Sequence, residues 1–519
     1  MRRAGTAWLL AASLVSVLSA QTRSDTWRTY GQNSMGWRYS DLAQIDTRNV
    51  ARLTPRWIFQ TGVPGGFQTT PLVFDGWMFI AGPSNHSWAL DALTGKSIWH
   101  SRKTPPSRLN LCCGEVNRGF AVHGDKLFRV NVEGTLVALD AKSGTTLWES
   151  TLADYKQGYS ATGAPLVVKN LVLTGIAGAE FGTRGFIDAY DVETGKRAWR
   201  FYTVPGDGEP GRDTWAGDSW KRGGASTWIT GTYDPDTNLV FWGTGNPGPD
   251  MDGDVRRGDN LYSGSVVALD ADTGTLKWHY QFTPHDTHDW DAISDPVLVE
   301  LTIDGRKVKA VIQANRNGFF YALDRTNGKV LRAKAYTKVT WADGIGADGR
   351  PHLTPGQEPT EEGKLACPGL GGGHNWQATA YSPQTGLYYF GSSENCQLFF
   401  KTKQGFTTGQ WYQASTVEAP PNQHGTGAIL AVDPTTGSTK WRFDLVSSPS
   451  AGMLATAGGL VFTGDSQGYL IAFDAQTGKV LWKFQTGGSV SAPPISYMLN
   501  GKQYVAVAAG GSMLTFALP

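Results

Sequence analysis

An all-β fold is predicted for this chain by its composition, by a recurring phrase and by the strand-like runs that flank that phrase. The 519 residues include 65 glycines and 20 tryptophans, which suits many tight turns and large packing anchors and suits a helical enzyme poorly. Residues 470–473 and 480–482 are examples of the flanking runs, whose short apolar pattern fits strands.

The recurring phrase is an apolar pair, an Asp, two variable residues, Thr-Gly or a variant, and a Trp eight residues after the Asp. It is found seven times, with its Asp at Asp91, Asp140, Asp191, Asp270, Asp324, Asp433 and Asp474. Six copies end in a tryptophan: Trp99, Trp148, Trp199, Trp278, Trp441 and Trp482. The copy at Asp324 has Arg332 instead, and two degenerate copies at residues 233–238 and 381–386 bring the count to nine.

Each phrase predicts two strands joined by a tight turn. An Asp side chain accepts hydrogen bonds from backbone N–H groups two residues on, and Gly supplies the positive φ that such turns require. A spacing of about 40 to 55 residues per copy, with four strands in each, is typical of the blades of a β-propeller. The sequence therefore predicts a propeller, with the Trp packed between neighbouring blades.

Residues 1–20 have the order of a secretory signal peptide, with basic residues first, then an apolar run, then small residues. The apolar run is shorter than the roughly 20 residues of a spanning helix, although an uncleaved anchor stays an alternative. No linker divides residues 21–519, so we expect one large domain, exported to the periplasm. The net charge of +1 comes from scattered charges, which makes nucleic acid an unfavourable partner.

The repeat resembles the tryptophan-docking motif of the eight-bladed quinoprotein dehydrogenases, the methanol and ethanol dehydrogenase superfamily, over essentially the whole mature chain. The resemblance implies eight blades, so one of the nine phrases would be an extra hairpin or part of the ring closure. It also implies a bound pyrroloquinoline quinone (PQQ), a metal ion and an alcohol substrate.

Four cysteines in an exported chain favour disulfides. Cys112 and Cys113 are adjacent, and their Cα atoms, about 3.8 Å apart, are closer than the usual ~4.4 to 6.8 Å of a bonded pair. Taken alone, such neighbours pair elsewhere. The resemblance implies instead that these two form a strained ring against the quinone, and that Cys367 and Cys396 then bond with each other. No Cys-x-x-Cys-His run is present, so no c-type haem is expected.

Two glycine-rich segments, residues 178–182 and 243–247, contain Glu180 and Asn246. By themselves they are ordinary turns, but they resemble the family's metal-ligating phrases, and a hard cation prefers such oxygen ligands. Trp228 lies eighteen residues before Asn246, the interval at which the family places the Trp beneath the quinone. A core position is the alternative for this Trp.

Residues 283–292 resemble the family's catalytic stretch, in which Thr-Pro-x-Asp is followed three residues later by the general base, here Asp289. Asp291 matches the extra acidic ligand of lanthanide-using relatives, so both calcium and a lanthanide stay open. His288 replaces the family's usual Trp, and a shift of register that would make Asp291 the base stays open too.

Arg316 matches the cation that the family places against the reactive quinone carbonyl. The resemblance implies further quinone contacts for Arg118, Thr162 and Asn375. Two positions depart from the family pattern: Gln68 stands where a Glu contacts the cofactor, and Ala177 where a hydroxyl residue is common. Both departures put the affinity for PQQ in doubt more than the chemistry.

The predicted function is a PQQ- and metal-dependent dehydrogenase that oxidises a primary alcohol to an aldehyde and passes electrons to a separate cytochrome c or similar carrier. One alternative is a non-enzymatic propeller scaffold, like the outer-membrane assembly lipoproteins that share the repeat. Another is a relative that has lost cofactor binding. The sequence does not indicate which alcohol is oxidised.

Overall fold

The computed structural model describes residues 25–421 and 425–519. The predicted signal peptide, residues 1–20, lies outside this part. Across the described residues the chain is built from short antiparallel strands, and its only helices are 3₁₀ turns. These turns are Val50–Arg52, Tyr155–Gln157, Ala179–Phe181, Arg212–Thr214, Ser219–Arg222 and Gly253–Arg256. None of the described helices is long and apolar enough to cross a membrane. The all-β prediction is confirmed.

Eight sheets of the described chain contain four strands in antiparallel succession, and we number them in chain order. Sheet 1 is Leu72–Phe74, Trp77–Ala81, His86–Asp91 and Ser97–Arg102. Sheet 2 is Ala121–His123, Lys126–Asn131, Thr135–Asp140 and Thr146–Thr151. Sheet 3 is Leu166–Val168, Leu171–Gly175, Phe186–Asp191 and Arg197–Tyr202. Sheet 4 is Thr232–Asp234, Leu239–Gly243, Ser265–Asp270 and Leu276–Gln281.

Sheet 5 is Val297–Ile303, Arg306–Ala314, Phe319–Asp324 and Val330–Ala335. Sheet 6 is Ala380–Ser382, Leu387–Glu394, Thr426–Asp433 and Ser438–Leu445. Sheet 7 is Leu454–Thr456, Leu460–Gly464, Tyr469–Asp474 and Val480–Gln485, with Tyr39–Ser40 added in parallel. Sheet 8 is Ile495–Leu499, Lys502–Ala509, Ser512–Ala517 and, from the other end of the chain, Thr54–Gln60. Two smaller sheets are present in addition. The first, Ala342–Ile345 with Pro351–Leu353, lies between sheets 5 and 6 in the chain, and the second pairs Lys364–Ala366 with Gln397–Lys401 and Ser415–Glu418, two strands inserted between the second and third strands of sheet 6.

The six copies that end in Trp and the copy with Arg332 all form the turn between the third and fourth strands of a sheet. At each turn the Asp accepts hydrogen bonds from the backbone, as Asp191 does from the N–H groups of Glu193 and Thr194. The two degenerate phrases differ. They join the first and second strands of sheets 4 and 6, so they do not form further turns of the predicted type.

The tryptophans of the phrase contact the turn of the following sheet. Trp99 Nε1 donates to the Ala141 carbonyl, and Trp199 Nε1 donates to the Ala271 carbonyl. Where the phrase has Arg332, the guanidinium Nε donates to the carbonyl of Thr435 in the turn of sheet 6. Trp57 of sheet 8 makes the same contact with Ala92 of sheet 1, although it lies outside the recurring phrase.

The turn glycines lie under a Trp ring in every repeated turn except that of sheet 6, where Gly437 lies against Lys334 and Phe320, and this packing gives a stability prediction. Gly274 has φ +70°, and a Cβ there would lie 2.5 Å from Trp199 Cε3. The change Gly274→Ala should lower the free energy of unfolding by about 2 to 4 kcal/mol, because the cost of a left-handed backbone at Ala adds to the cost of the clash with the Trp199 ring. Gly305→Ala is the matched control, since Gly305 has φ +76° with nothing within 4 Å of the added Cβ, and should cost about 1 kcal/mol. Equal losses in chemical denaturation would contradict the packing role.

The predicted site residues lie on two sets of loops. Nine of them precede the first strand of a sheet: Gln68, Cys112, Cys113, Arg118, Thr162, Trp228, Asp289, Asp291 and Asn375. Three lie between second and third strands: Glu180, Asn246 and Arg316. In an antiparallel sheet, the point where the first strand begins and the point where the second strand ends lie at the same end of the sheet. The topology therefore brings both sets of loops to one end of the sheets.

Candidate active site

A cavity of about 290 Å³ lies among these loops. It is lined by nearly all of the residues that the sequence singled out: Gln68, Cys112, Cys113, Arg118, Thr162, Ala177, Glu180, Trp228, Asp289, Asp291, Arg316 and Asn375. Asn246 is fully buried and connects to this wall through its backbone N–H, which donates to Asp291 Oδ1 at 2.6 Å. Residues far apart in the sequence thus meet in one site.

Arg118 is buried beside the cavity between two indole rings. Its guanidinium carbon lies 4.8 Å from the Trp228 ring centroid and 5.2 Å from that of Trp376. Nη1 donates to Thr162 Oγ1 at 2.7 Å, while Nε has no hydrogen-bond partner among the described residues. Burial lowers the pKa of Arg118 to about 10, so it stays cationic at neutral pH. This side supplies a flat apolar surface and an available positive charge.

The predicted bond between Cys112 and Cys113 is not formed in the structure, where both are free thiols. This corrects the sequence-based expectation, and the physical reason is that adjacent Cα atoms are too close for an unstrained disulfide. A hydrogen bond between the two groups, followed by burial, raises the pKa of Cys112, and the same hydrogen bond lowers that of Cys113. The predicted bond between Cys367 and Cys396 is confirmed, with Cα atoms 4.4 Å apart.

Asp286 determines the conformation of the turn that holds Asp289. Its two carboxylate oxygens accept hydrogen bonds from the backbone N–H groups of His288 and Trp290, at 2.9 and 2.7 Å. Between these anchors Asp289 takes a φ of +59°, which non-glycine residues seldom adopt. His288 stacks on Trp290 with centroids 4.3 Å apart and planes 9° apart, which accounts for an aromatic ring at this position.

Arg316 bridges the two acidic residues of the catalytic stretch. Nη1 lies 2.7 Å from Asp291 Oδ2 and Nη2 lies 3.2 Å from Asp289 Oδ2, while Nη2 also donates to the Leu370 carbonyl at 2.6 Å. Although burial alone would lower it, the neighbouring carboxylates raise the pKa of Arg316 above its usual value. Burial, with Arg316 opposing it, raises the pKa of Asp289 well above the usual range.

The two aspartates differ in their hydrogen bonding. Besides Arg316, Asp291 accepts the backbone N–H of Asn246 at 2.6 Å and the indole Nε1 of Trp228 at 3.2 Å. Asp289 accepts only the longer bond from Arg316 among the described residues. Asp291 is therefore held in place by three donors, and Asp289 keeps oxygen lone pairs available toward the cavity.

The donor set fits a hard cation such as calcium or a lanthanide. Glu180 is on the 3₁₀ turn Ala179–Phe181 at the cavity wall, where burial raises its pKa. The Asn246 side chain donates Nδ2 to Asp250 Oδ1 at 2.7 Å, which leaves its Oδ1 available as a ligand. No three His, Cys, Asp or Glu side chains of the described chain are grouped closely enough to hold an ion by themselves. Oxygens from a bound cofactor would have to complete the shell.

Sequence analysis missed two residues that organise this site, Asp250 and Arg256, and it assigned no role to Asp286, the Asp of the Thr-Pro-x-Asp motif. Arg256 is fully buried, and its guanidinium donates to the backbone carbonyls of Pro249, Asp250 and Asp286. It thereby ties the loop after Asn246 to the turn before Asp289. The only signal was proximity in sequence, since Asp250 and Arg256 follow Asn246 by four and ten residues.

The fold and the site together define an all-β protein with a cavity lined by indole rings, three acidic side chains and two arginines. The family model described as the glucose/ethanol/alcohol dehydrogenase β-propeller domain matches residues 27–346, more than half of the chain. The chain belongs to the quinoprotein alcohol dehydrogenase family. The sequence-based assignment to this family is therefore confirmed.

Individual relatives agree with this assignment. The quinoprotein alcohol dehydrogenase PedH of Pseudomonas putida is 39% identical over 93% of this chain and 85% of its own length. The 1-butanol dehydrogenase (cytochrome c) of Thauera butanivorans is 36% identical over 93% of this chain and 74% of its own length. Among solved structures, a europium-containing methanol dehydrogenase has a TM-score of 0.90 at 34% identity and covers 96% of this chain and 99% of its own.

A second family model, described as the outer membrane protein assembly factor BamB, matches residues 425–518. That segment covers the last part of the chain and contains none of the predicted site residues. This match therefore reflects the strand repeat that residues 425–518 share with the scaffold proteins. It gives no support for a scaffold function in this chain.

Proposed function

We propose that this protein oxidises a primary alcohol to an aldehyde, using PQQ and a calcium or lanthanide ion. The observation that carries the proposal is the bridge from Arg316 to Asp289 and Asp291 at the wall of a cavity that Trp228 and Glu180 also line. This arrangement combines a base, a cation and oxygen ligands around one space. A scaffold protein has no use for such buried charges, which cost free energy unless they serve chemistry.

PQQ would lie in the cavity between the Trp228 indole and the Cys112 and Cys113 thiols. Its carboxylates and carbonyls would be held by Arg118, Thr162 and Asn375, with Gln68 contributing an amide. Bound PQQ supplies the two-electron acceptor, and the metal supplies Lewis acidity at its carbonyl. Ala177 and the neutral Gln68 weaken the polar contacts to PQQ without removing the metal ligands or the base.

Asp289 is the general base in this proposal, and it takes the proton of the substrate hydroxyl while hydride leaves the carbon. Asp291 is the weaker candidate because Arg316, Trp228 and Asn246 occupy its oxygens. We assign Asp291 to the coordination shell of the metal, together with Glu180 and Asn246. Asp289 is a ligand in the same shell. Arg316 stabilises negative charge that develops on oxygen during the transfer.

The electrons would leave to a separate cytochrome c or similar carrier. The name of the relative from Thauera butanivorans, 1-butanol dehydrogenase (cytochrome c), includes such an acceptor, which supports this assignment. We place the protein in the periplasm after removal of residues 1–20, with residues 21–519 as one domain.

The finer architecture belongs to the same proposal. Each of the eight four-stranded sheets would be one blade, and the contacts of tryptophans such as Trp99 and Trp199 with the next turn would dock the blades in a ring. Sheet 8, with strands from both ends of the chain, would close that ring.

The test is dye-linked oxidation by purified protein reconstituted with PQQ, with calcium, lanthanum or no metal, on methanol, ethanol and glycerol. We expect turnover that requires both PQQ and a metal and that differs among the alcohols. Absence of activity together with absence of protein-bound quinone absorbance under every metal would overturn the proposal and favour a relative that has lost cofactor binding.

A further inference from the structure

A second cavity, of about 80 Å³, lies within a few residues of the active site, and we call it the inner cavity. Four stretches of chain line the active-site cavity at one residue and the inner cavity two to four residues later: Arg118 and Ala121, Thr162 and Pro165, Trp228 and Thr230, and Asp291 and Asp295. An extended chain advances about 3.3 Å per residue, so each stretch separates the two cavities by no more than about 13 Å. The stretches lead into the first strands of sheets 2 to 5.

The segment of residues 25–40 forms the other wall of the inner cavity. Backbone hydrogen bonds join this segment to the first strands of sheets 1, 4, 5, 6, 7 and 8, and the inner cavity borders the first strands of sheets 2 and 3. Arg28, Thr29 and Asn33 in this wall are half-buried, so this side of the cavity borders solvent. The volume is enough for a few water molecules. The inner cavity therefore connects the neighbourhood of the active site with solvent away from the site end of the sheets.

Asp295 is a buried carboxyl in the wall of the inner cavity. It receives the backbone N–H of Thr379, and no described side chain donates to its Oδ1. A buried carboxyl oxygen needs a hydrogen-bond partner, and water in a polar cavity can supply one. The hydroxyl-bearing residues Thr230 and Thr232 make the same wall polar. Asp295 is therefore placed to exchange protons with water in this cavity.

Four charged or titratable side chains act on Asp295: Arg38, Arg118, Tyr30 and Tyr388. Arg38 is held in place, because it donates to three backbone carbonyls and a threonine hydroxyl. Arg118 also lines the active-site cavity, which couples the two cavities electrostatically. Burial raises the pKa of both tyrosines, so they stay neutral. Burial also raises the pKa of Asp295 to about 7, with the two arginines opposing the rise, and such a carboxyl can both take up and release protons near neutral pH.

We propose that Asp295 is a proton relay that carries protons from the active site through the inner cavity to solvent. The inference rests on the proposed function, because oxidation of an alcohol to an aldehyde releases two electrons and two protons. The electrons go to the carrier, and both protons must reach water. Ionised Asp295 accepts a proton from water on the active-site side, which forms an O–H bond, and then releases that proton to water in the inner cavity. The carboxylate is thereby regenerated, and two such cycles complete one alcohol oxidation.

The experiment compares wild type with Asp295→Asn, both loaded with PQQ and a metal. The amide keeps the shape of the carboxyl but cannot relay a proton, so proton release during steady turnover, followed with an indicator dye, should slow by about 10²-fold. Quinone reduction in a single turnover should be unchanged, because Asp289 still takes the hydroxyl proton. Asp125→Asn is the matched control and should change neither rate, since Asp125 is an exposed carboxylate in the turn between the first two strands of sheet 2.

Two further measurements distinguish a relay from a purely structural role. Azide, a small weak acid, should carry protons in place of the missing carboxyl and restore steady turnover in Asp295→Asn without accelerating wild type. Infrared difference spectra of wild type against Asp295→Asn, both without PQQ, should contain a protonated carboxyl band that disappears as the pH rises through about 7.

Several outcomes would overturn the inference while leaving the proposed function intact. These are unchanged proton release in Asp295→Asn, an equal loss of the single-turnover rate, no restoration by azide, or no titrating carboxyl band in the infrared difference. Wild type that gives no turnover with PQQ under any metal would defeat both the inference and the proposed function.

Discussion

Replacing Asp289 by Asn should slow alcohol oxidation by about 10²- to 10⁴-fold, the usual contribution of a general base. The amide has nearly the same shape, and it can still contact Arg316 through its oxygen, but it cannot take the hydroxyl proton. The measurement is the rate of quinone reduction in a single turnover of PQQ-loaded protein. Quinone absorbance recorded before the alcohol is added shows that the cofactor is still bound.

Two companion variants make this result specific. Asp343→Asn removes an exposed carboxylate, 80% accessible, and should leave the rate unchanged. Asp291→Asn should act mainly through lost metal affinity, so that excess metal restores part of its rate. If Asp291 were the base, the pattern would be reversed. Asp291→Asn would then lose most of the rate, excess metal would not restore it, and Asp289→Asn would lose little.

Replacing Arg316 by Ala should have the largest combined effect on stability and activity. It leaves Asp289 and Asp291 without their shared cation, and breaking a buried pair typically costs about 3 to 5 kcal/mol. The loss of a charged group that stabilises the reacting oxygen should lower kcat by a further 10²- to 10³-fold at roughly constant substrate affinity. Chemical denaturation and steady-state kinetics measure the two effects separately.

Arg316→Lys tests whether charge or geometry matters. A single ammonium cannot reach two carboxylates as the planar guanidinium does, so it should recover most of the stability but only part of the rate. Arg48→Ala is the control for loss of an arginine, since Arg48 is 87% exposed in its ion pair and should change stability by less than about 1 kcal/mol. Full activity in Arg316→Lys would contradict a bidentate role.

The sequence predicted the fold well wherever a local rule applied. Each Asp-to-Gly turn is stabilised by its own hydrogen bonds and its own glycine, so each hairpin could be predicted from its own short segment of sequence. Trp57 was missed because its strand joins a sheet made from the far end of the chain, and no local pattern records such a pairing. The degenerate phrase at residues 381–386 was misjudged because a tight turn has similar residues whichever strands it connects.

The site was predictable where residues lie in motifs and not where they act through space. Glu180, Asn246 and Asp289 stand in recognisable segments. Asp250 and Arg256 matter because the loop folds back on the site, which their sequence context does not indicate. The expected bond between Cys112 and Cys113 came from the resemblance, whereas the geometry of neighbouring residues argued against it, and the structure contains free thiols.

The pairing of Thr54–Gln60 with Ser512–Ala517 has a consequence for biosynthesis. Partners so distant in the chain give this pairing a high loop-closure entropy, and contacts of this kind form slowly. A nascent polypeptide lacking its last eight residues would leave an unpaired strand edge at each terminus, and exposed edges are sites of aggregation. Small truncations at the carboxyl end should therefore prevent folding altogether, whereas new termini placed in a loop between sheets, with the old ends joined, should be tolerated.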